Sequence, residues 1–390
     1  MKRDSVDRPV YLDYHATTPV DERVLQAMLP YFTVHFGNAT SDHRYGAEAH
    51  EAVERARAQV AATLGADPTE IVFTSGATES INLALIGAAE ASEARGRHIV
   101  TSAIEHPAVL DTCRYLESRG WEVTYLPVDD DGLHSAAQVA SALRSDTVLV
   151  SIMAANNEIG VIQPISEIAS VAHEHGALFH TDATQALCYL PLEVRKVGID
   201  LLSCSSHKVY GPKGVGALFV RRSFPRVRLR RLAHGGGHER GLRSGTLNVP
   251  GIVGFGAAAD LSTASRREES ERVRALRDEL YSVLAVGVEG VMLNGHPSQR
   301  LPNNLNISIE GVESRSVLAL VSDTVALSTG SACSTGKVEP SHVVMSLPGG
   351  EARAHSAVRI AVGRFTTPDE VRSGANALIS SIAALRRIAL

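Results

Sequence analysis

The chain has few cysteines, no long apolar run and no excess of charge of one sign. Only Cys113, Cys188, Cys204 and Cys333 are cysteine among its 390 residues. No two of them have the close spacing of a zinc or redox pair, so the expectation is free thiols in a reducing cytoplasm, with no metal site. No apolar stretch approaches membrane-spanning length. Residues 1–9 are short and polar and lack the apolar centre of a signal peptide. The net charge is -5, which argues against bulk attraction to nucleic acid or anionic lipid. One stretch departs from this: Arg221, Arg222, Arg226, Arg228, Arg230 and Arg231. They alternate with Val227 and Leu229, and Phe224 is the only aromatic nearby. That pattern predicts a solvated strand edge rather than a surface that stacks bases. The GKS or GKT ending of a P-loop is also missing, so a nucleoside triphosphate is not indicated.

What is present is an ordinary globular composition, 44% hydrophobic and 21% charged, in a chain long enough for two domains. Short apolar runs at 71–74, 98–102, 122–126, 147–153, 178–181, 201–203 and 215–220 alternate with helix-compatible segments. The alternation predicts an α/β fold with a mainly parallel sheet. An amphipathic helix at 45–64 precedes it, ended by Gly65 and Pro68. Past about residue 262 the texture changes to a smaller α+β unit. It has helices at 266–286 and 314–321 and strands at 305–309, 325–327 and 358–362. A last helix starts at Pro368 with Thr367 as its N-cap. The expected organisation is a large domain at 16–262 and a small domain of 1–15 plus 263–390.

Polar residues gather where these runs end. Lys208 follows the run at 201–203, and a lysine there is either a loop residue or an amine kept neutral enough to form a Schiff base. Thr74-Ser75-Gly76-Ala77-Thr78 opens a helix and reads as an ordinary cap or an anion cradle. His106 marks a surface turn or a ring that stacks on an aromatic ligand. Asn156 and Asn157 either make an Asx-type turn or reach a ligand hydroxyl. Asp182 is either a helix N-cap or the partner of a pyridinium N–H, with Gln185 three residues on. Together the groups match what pyridoxal phosphate (PLP) requires: phosphate capture, a charged ring nitrogen and a lysine.

The segments GATES, EHPAV, NNEIG, DATQ, SSHKVYGPKG, GGGHERGLRSGT and SACST resemble those of the NifS/IscS-like cysteine desulfurases. These are PLP enzymes of the class V aminotransferase-like fold, which is the aspartate aminotransferase-like PLP-dependent transferase fold. The resemblance runs from Tyr11-Leu12-Asp13-Tyr14 to Gly363-Arg364-Phe365-Thr366-Thr367. It implies that Lys208 holds PLP, His106 stacks on the ring and moves protons, and Asp182 pairs with the ring nitrogen. Gln185 and Asn157 would bond the phenolic oxygen, and Asn157 would also face the substrate. Ala77, Thr78, Ser205 and His207 would hold the phosphate, and Thr246 would complete the phosphate site of a partner subunit, making a homodimer. Arg359 would bind the substrate carboxylate, as a guanidinium fork suits.

The resemblance also implies the reaction. Cys333, in a small-residue loop at about 328–340, would take sulfur from L-cysteine as a persulfide, leaving L-alanine. A protein acceptor of unknown identity would receive it, for iron–sulfur clusters, tRNA thiolation, cofactor synthesis or DNA sulfur modification. His106 is the expected activator of the thiol, and the other three cysteines are expected to be buried. His15 stands where the family usually has a small residue, and Ser206 where it often has glycine. The C-terminus stops earlier than in IscS-type members, which bears on docking of an iron–sulfur scaffold. Alternative readings are a selenocysteine lyase, another class V aminotransferase, or a non-enzymatic PLP-fold scaffold.

Overall fold

In the computed structural model, which describes residues 8–224, 226–329 and 340–388, regular structure begins with a short strand, β1 (Val10–Tyr11). Seven strands then build the main sheet. They are β2 (Ile71–Thr74), β3 (His98–Ser102), β4 (Glu122–Leu126), β5 (Thr147–Ser151), β6 (Leu178–Asp182), β7 (Leu201–Ser205) and β8 (Gly216–Val220). Their order across the sheet is β2-β8-β7-β6-β5-β3-β4. Only β8 runs against its neighbours, so β2, β3, β5, β6 and β7 all end on the same side.

The strands form because their apolar residues are buried on both faces. Successive residues go to opposite cores: Phe73, Val100, Val150, Leu202 and Phe219 to one, and Val72, Ile99, Leu149, Leu201 and Leu218 to the other. Helix α1 (Arg44–Leu64) ends in a left-handed glycine cap at Gly65, as expected. Helix α2 (Ala77–Ser92) follows β2, and α3 (Pro107–Ser118) follows β3 with His106 as its N-cap.

The smaller sheet has three antiparallel strands, β9 (Val291–Leu293), β10 (Asn304–Ile309) and β12 (Ala357–Ala361), ordered β12-β10-β9. Strand β11 (Val325–Ala326) pairs with β1 in parallel. Beyond β1 the Ala361 N–H donates to the Leu12 carbonyl at 2.7 Å. The N-terminal segment is thus threaded between β11 and β12, and its next residues enter the space beside the main sheet.

Two local readings change. Helix α4 (Val249–Gly287) is one continuous element of 39 residues, where the periodicity showed only 266–286. Residue 262 lies inside it. Its first half is disguised by glycines that permit close packing: a Cβ on Gly256 would lie 2.6 Å from the Ala56 Cα of α1. The arginine-rich stretch is not a strand edge, since its described residues are irregular. Its alternation arises because Val227 is buried and Leu229 packs against the same core, while Arg221 pairs with the buried Asp200 at 2.7 Å. The last helix, α5 (Pro368–Ile388), starts as expected. The Thr367 Oγ1 accepts from the Glu370 N–H at 3.2 Å, and the Glu370 carboxylate accepts from the Thr367 N–H at 2.8 Å.

Candidate active site

The strand ends on one side of the main sheet border a cavity of about 750 Å³. Such ends are where parallel sheets bind ligands. Ala77, Thr78, His106, Asn157, Asp182, Gln185, Ser205, His207, Lys208 and Arg359 all line it. The structure therefore gathers residues that the sequence spreads over nearly 300 positions, roughly the full length of a large domain.

Lys208 ends a single helical turn, Ser206–Lys208, just after β7. Its Nζ donates to the main-chain carbonyls of His15 and of Ala16, the latter at 2.8 Å. Burial pushes the amine down to about 7, the Arg359 charge adds to this, and Asp13 and Asp182 oppose it. A large share of the amine is then neutral and nucleophilic near neutral pH. Lys213 borders the same cavity but is exposed.

The turn carrying Lys208 is clamped by the N-terminal segment. The Thr18 N–H and Oγ1 both donate to the His207 carbonyl, at 3.0 and 2.9 Å. The Tyr210 N–H in turn donates to the Thr18 Oγ1 at 2.9 Å. Tyr210 is fully buried with a left-handed φ of 66°, an unusual state for an aromatic residue. Its hydroxyl accepts from the Arg364 N–H at 2.6 Å, and the Arg364 guanidinium sits 4.0 Å from its ring centroid.

The neighbouring groups resolve the alternatives left by sequence. Asn156 makes the turn: its Oδ1 accepts from the Glu158 and Ile159 N–H groups at 2.8 and 3.0 Å, and its Nδ2 donates to the Ile104 carbonyl. Asn157 faces the cavity with a buried Oδ1 that has no partner among the described residues. Asp182 both caps locally, accepting from the Thr184 N–H at 2.9 Å, and borders the cavity. Gln185 donates to the His15 carbonyl at 3.0 Å. The Nδ1 of His106 accepts from the Ala108 N–H at 3.1 Å. Burial lowers its pKa, with Asp182 pulling the other way. The neutral ring therefore carries its proton on Nε2 and offers a donor there, not a base.

At the opposite end, no described side chain caps α2, so its first N–H groups are open to an anion. Glu79 does not fill that position, because its carboxylate accepts from the Ser75 N–H at 2.7 Å and from Arg243 at 2.8 Å. Ser205 and His207 stand beside this end. Burial takes the His207 imidazole down to about 4. The turn fits closely against β8, where a Cβ on Gly216 would lie 2.7 Å from the Gly76 Cα. An uncapped helix end, an orphaned amide oxygen on Asn157, a carboxylate and a lysine whose amine titrates near neutrality fit PLP well.

Sequence reasoning missed Asp13 as a site residue, although it stands in a motif that carries the resemblance. Its Oδ1 accepts from the Arg359 Nη2 at 2.9 Å and from the Ser328 Oγ at 3.2 Å. The Arg359 Nη1 donates to the Asn157 carbonyl at 3.2 Å, and Nε is buried without a partner among the described residues. Thr246 is exposed and does not line this cavity. Ser206 is buried, and its Oγ would lie 2.0 Å from a Cβ on Gly211, so a larger residue at 211 would have to displace that hydroxyl. Cys333 lies outside the described residues. The other cysteines are buried as expected, and burial pushes each thiol up to about 12.

The class-V aminotransferase family model matches residues 10–373. A cysteine desulfurase IscS of Anaeromyxobacter sp. (strain Fw109-5) is 52% identical over 381 residues, covering 97% of this chain and 94% of the relative. A solved NifS-like protein superposes with a TM-score of 0.90 at 38% identity, covering 96% of this chain and 99% of that one. A structure of SspA in complex with cysteine has a TM-score of 0.80 at 41% identity, covering 92% of this chain and 99% of that one. With a site fitted to PLP and a match of this extent, the chain belongs to the class-V aminotransferase family.

Proposed function

We propose that the protein is a PLP-dependent cysteine desulfurase that removes sulfur from L-cysteine, leaves L-alanine and carries the sulfur as a persulfide on Cys333. The observation that carries this reading is the state of the thiols. Three of the four cysteines are buried with their pKa values pushed up to about 12, which leaves Cys333 for sulfur chemistry. Relatives named cysteine desulfurase that match nearly end to end support it.

When bound, PLP supplies a carbonyl for the substrate amine and a ring that takes up electrons released at the substrate carbon. Lys208 would hold it, Asp182 would keep its ring nitrogen charged, and the open end of α2 with Thr78, Ser205 and His207 would hold its phosphate. Arg359, fixed by Asp13 and the Asn157 carbonyl, would orient the substrate carboxylate. His106 would lie on the ring and hold a proton at Nε2. For that atom to take the Cys333 thiol proton, its own proton must first pass to solvent and the ring be reprotonated at Nδ1, which then gives up its cap on Ala108. The Cys333 sulfur forms an S–S bond as the substrate Cβ–S bond breaks. A proton then replaces sulfur on that carbon, giving alanine without any outside oxidant.

The working unit is a homodimer in this reading. Leu25, Leu29, Phe32, Val34 and Phe36 are exposed close together in sequence, and a second copy would cover them. Thr246 would then reach the partner's phosphate site. No described helix is long and apolar enough to cross a membrane, and the described thiols are unpaired, which suits a reducing compartment such as the cytoplasm. The sulfur acceptor is a protein, and trapping Cys333 with it as a mixed disulfide would identify the pathway.

The test begins with alanine formed from cysteine without a keto acid, which separates desulfurase from aminotransferase. Comparing cysteine with selenocysteine separates it from a selenocysteine lyase. Cys333→Ser should keep the visible absorption of bound cofactor and release no sulfide. A Cys333→Ser protein that turns over normally removes the persulfide role.

A further inference from the structure

We propose that His15 is a substrate-binding residue, and that its Nδ1–H receives the carboxylate of the bound amino acid beside Arg359. The proposal deepens the desulfurase reading and rests on it. His15 lines the cavity, yet its side chain is buried, with 1% of the residue exposed. Its protonation can be read from a chain of contacts that starts outside the site. Arg300 is buried, and its Nη2 donates to the Asn304 Oδ1 at 3.2 Å. A guanidinium only donates, so the Asn304 amide must turn its oxygen toward Arg300 and its nitrogen away. That nitrogen donates to the Glu158 carbonyl at 2.9 Å and meets the His15 Nε2 at 3.3 Å. Nε2 is therefore an acceptor, and the proton of the neutral ring is on Nδ1.

That Nδ1 has no hydrogen-bond partner among the described residues. The Gln185 side chain approaches the ring and pulls its pKa upward, but it makes no hydrogen bond of full geometry with Nδ1 and spends its Nε2 on the His15 main-chain carbonyl. Burial, then the Arg359 and Lys208 charges, keep the ring neutral. Arg359 is also the strongest charge acting on the ring, and it carries its own orphan, the buried Nε. Two residues that line the cavity, His15 and Arg359, thus each carry a buried N–H donor without a partner among the described residues. A carboxylate accepts only and has two oxygens, so it can satisfy both. The main-chain carbonyl of His15 holds Lys208 and Gln185, and any residue at 15 supplies it. Side-chain substitution therefore separates substrate binding from cofactor holding.

The experiment uses the PLP-loaded enzyme and two ligands that share a carboxylate, L-cysteine and the product L-alanine. His15→Phe keeps the ring's bulk without the donor, and His15→Ala removes bulk and donor together. Both should raise KM for cysteine and the calorimetric Kd for alanine about tenfold, the scale of one hydrogen bond to a charged group. The effect on kcat should be smaller, and cofactor absorption should be retained. His15→Asn, which keeps an N–H near the Nδ1 position, should recover most of the loss. A rise in KM with no change in the alanine Kd would assign His15 to the sulfur and overturn the proposal. Unchanged constants, or loss of cofactor in both donor-less variants, would overturn it too. If the unsubstituted enzyme forms no alanine from cysteine, the desulfurase reading fails on its own, whatever the alanine Kd values show.

Discussion

The cavity has two walls that are built differently. One is made by the ends of β2, β3, β5, β6 and β7, and several of its groups are set by a contact a few residues away. His106 caps α3, Asp182 accepts from Thr184, and Asn156 closes its own turn. The other wall is residues 13–18 with Arg359, joined across most of the chain: Asp13 to Arg359, Thr18 to His207, and His15 to Asn304. The first wall is rigid because the sheet is rigid. The second is held by pairwise contacts between segments, so single changes there should shift binding and pKa values more than they abolish chemistry.

The largest effects should come from the sheet wall. Lys208→Ala should lose the visible absorption of bound cofactor. Asp182→Asn should lower kcat by about 10²–10⁴-fold, the range for a group that manages charge in the transition state. If either retains normal turnover, the division between walls is wrong. Next, Arg359→Lys should raise KM for L-cysteine about 10–100-fold, since a point charge cannot copy the fork. Asp13→Asn should give a smaller rise, because Arg359 keeps its contact with the Asn157 carbonyl.

The walls also communicate through Lys208. Its amine titrates near 7 because of burial first and the Arg359 charge second. Below that pH the amine is protonated and cannot attack a carbonyl. PLP uptake by the cofactor-free protein should therefore slow about tenfold per pH unit below 7. Arg359→Gln should move that midpoint upward, by removing a charge that disfavours the protonated amine. A midpoint that stays put would show that the two walls are electrostatically separate. The smallest effect belongs outside both: Thr367→Ala, which breaks the capping pair of α5, should cost about 1 kcal/mol in stability with activity unchanged.

The sheet wall was legible in sequence because its signals are local. An apolar run followed by Gly76, His106, Asn157, Asp182 or Lys208 is visible without knowing what lies across the cavity. The N-terminal wall was less so. Asp13 stood only as part of a motif, and nothing within ten residues of it names Arg359 as its partner. His15 registered only as a departure from a family pattern. Its ring state depends on Asn304 and Arg300, a relation that no periodicity encodes. The element boundaries failed where packing overrode propensity. Glycines usually argue against a helix, yet in α4 they allow the backbone to approach α1. The arginine stretch alternates like a strand, but its alternation records two side chains tucked into a core from an irregular segment.

The length of α4 has a mechanical consequence. Thirty-nine residues at helical rise make a beam about 58 Å long. Its first half lies on α1. Its second half is pinned by Arg272 to the carbonyls of Gly363, Arg364 and Thr366, and by Arg277 to that of Asn304. A force that pulled the small sheet away from the large one would have to bend this beam or snap those pins. The same member that spans the molecule therefore keeps Arg359 and Lys208 in register, as a strut keeps two halves of a frame aligned.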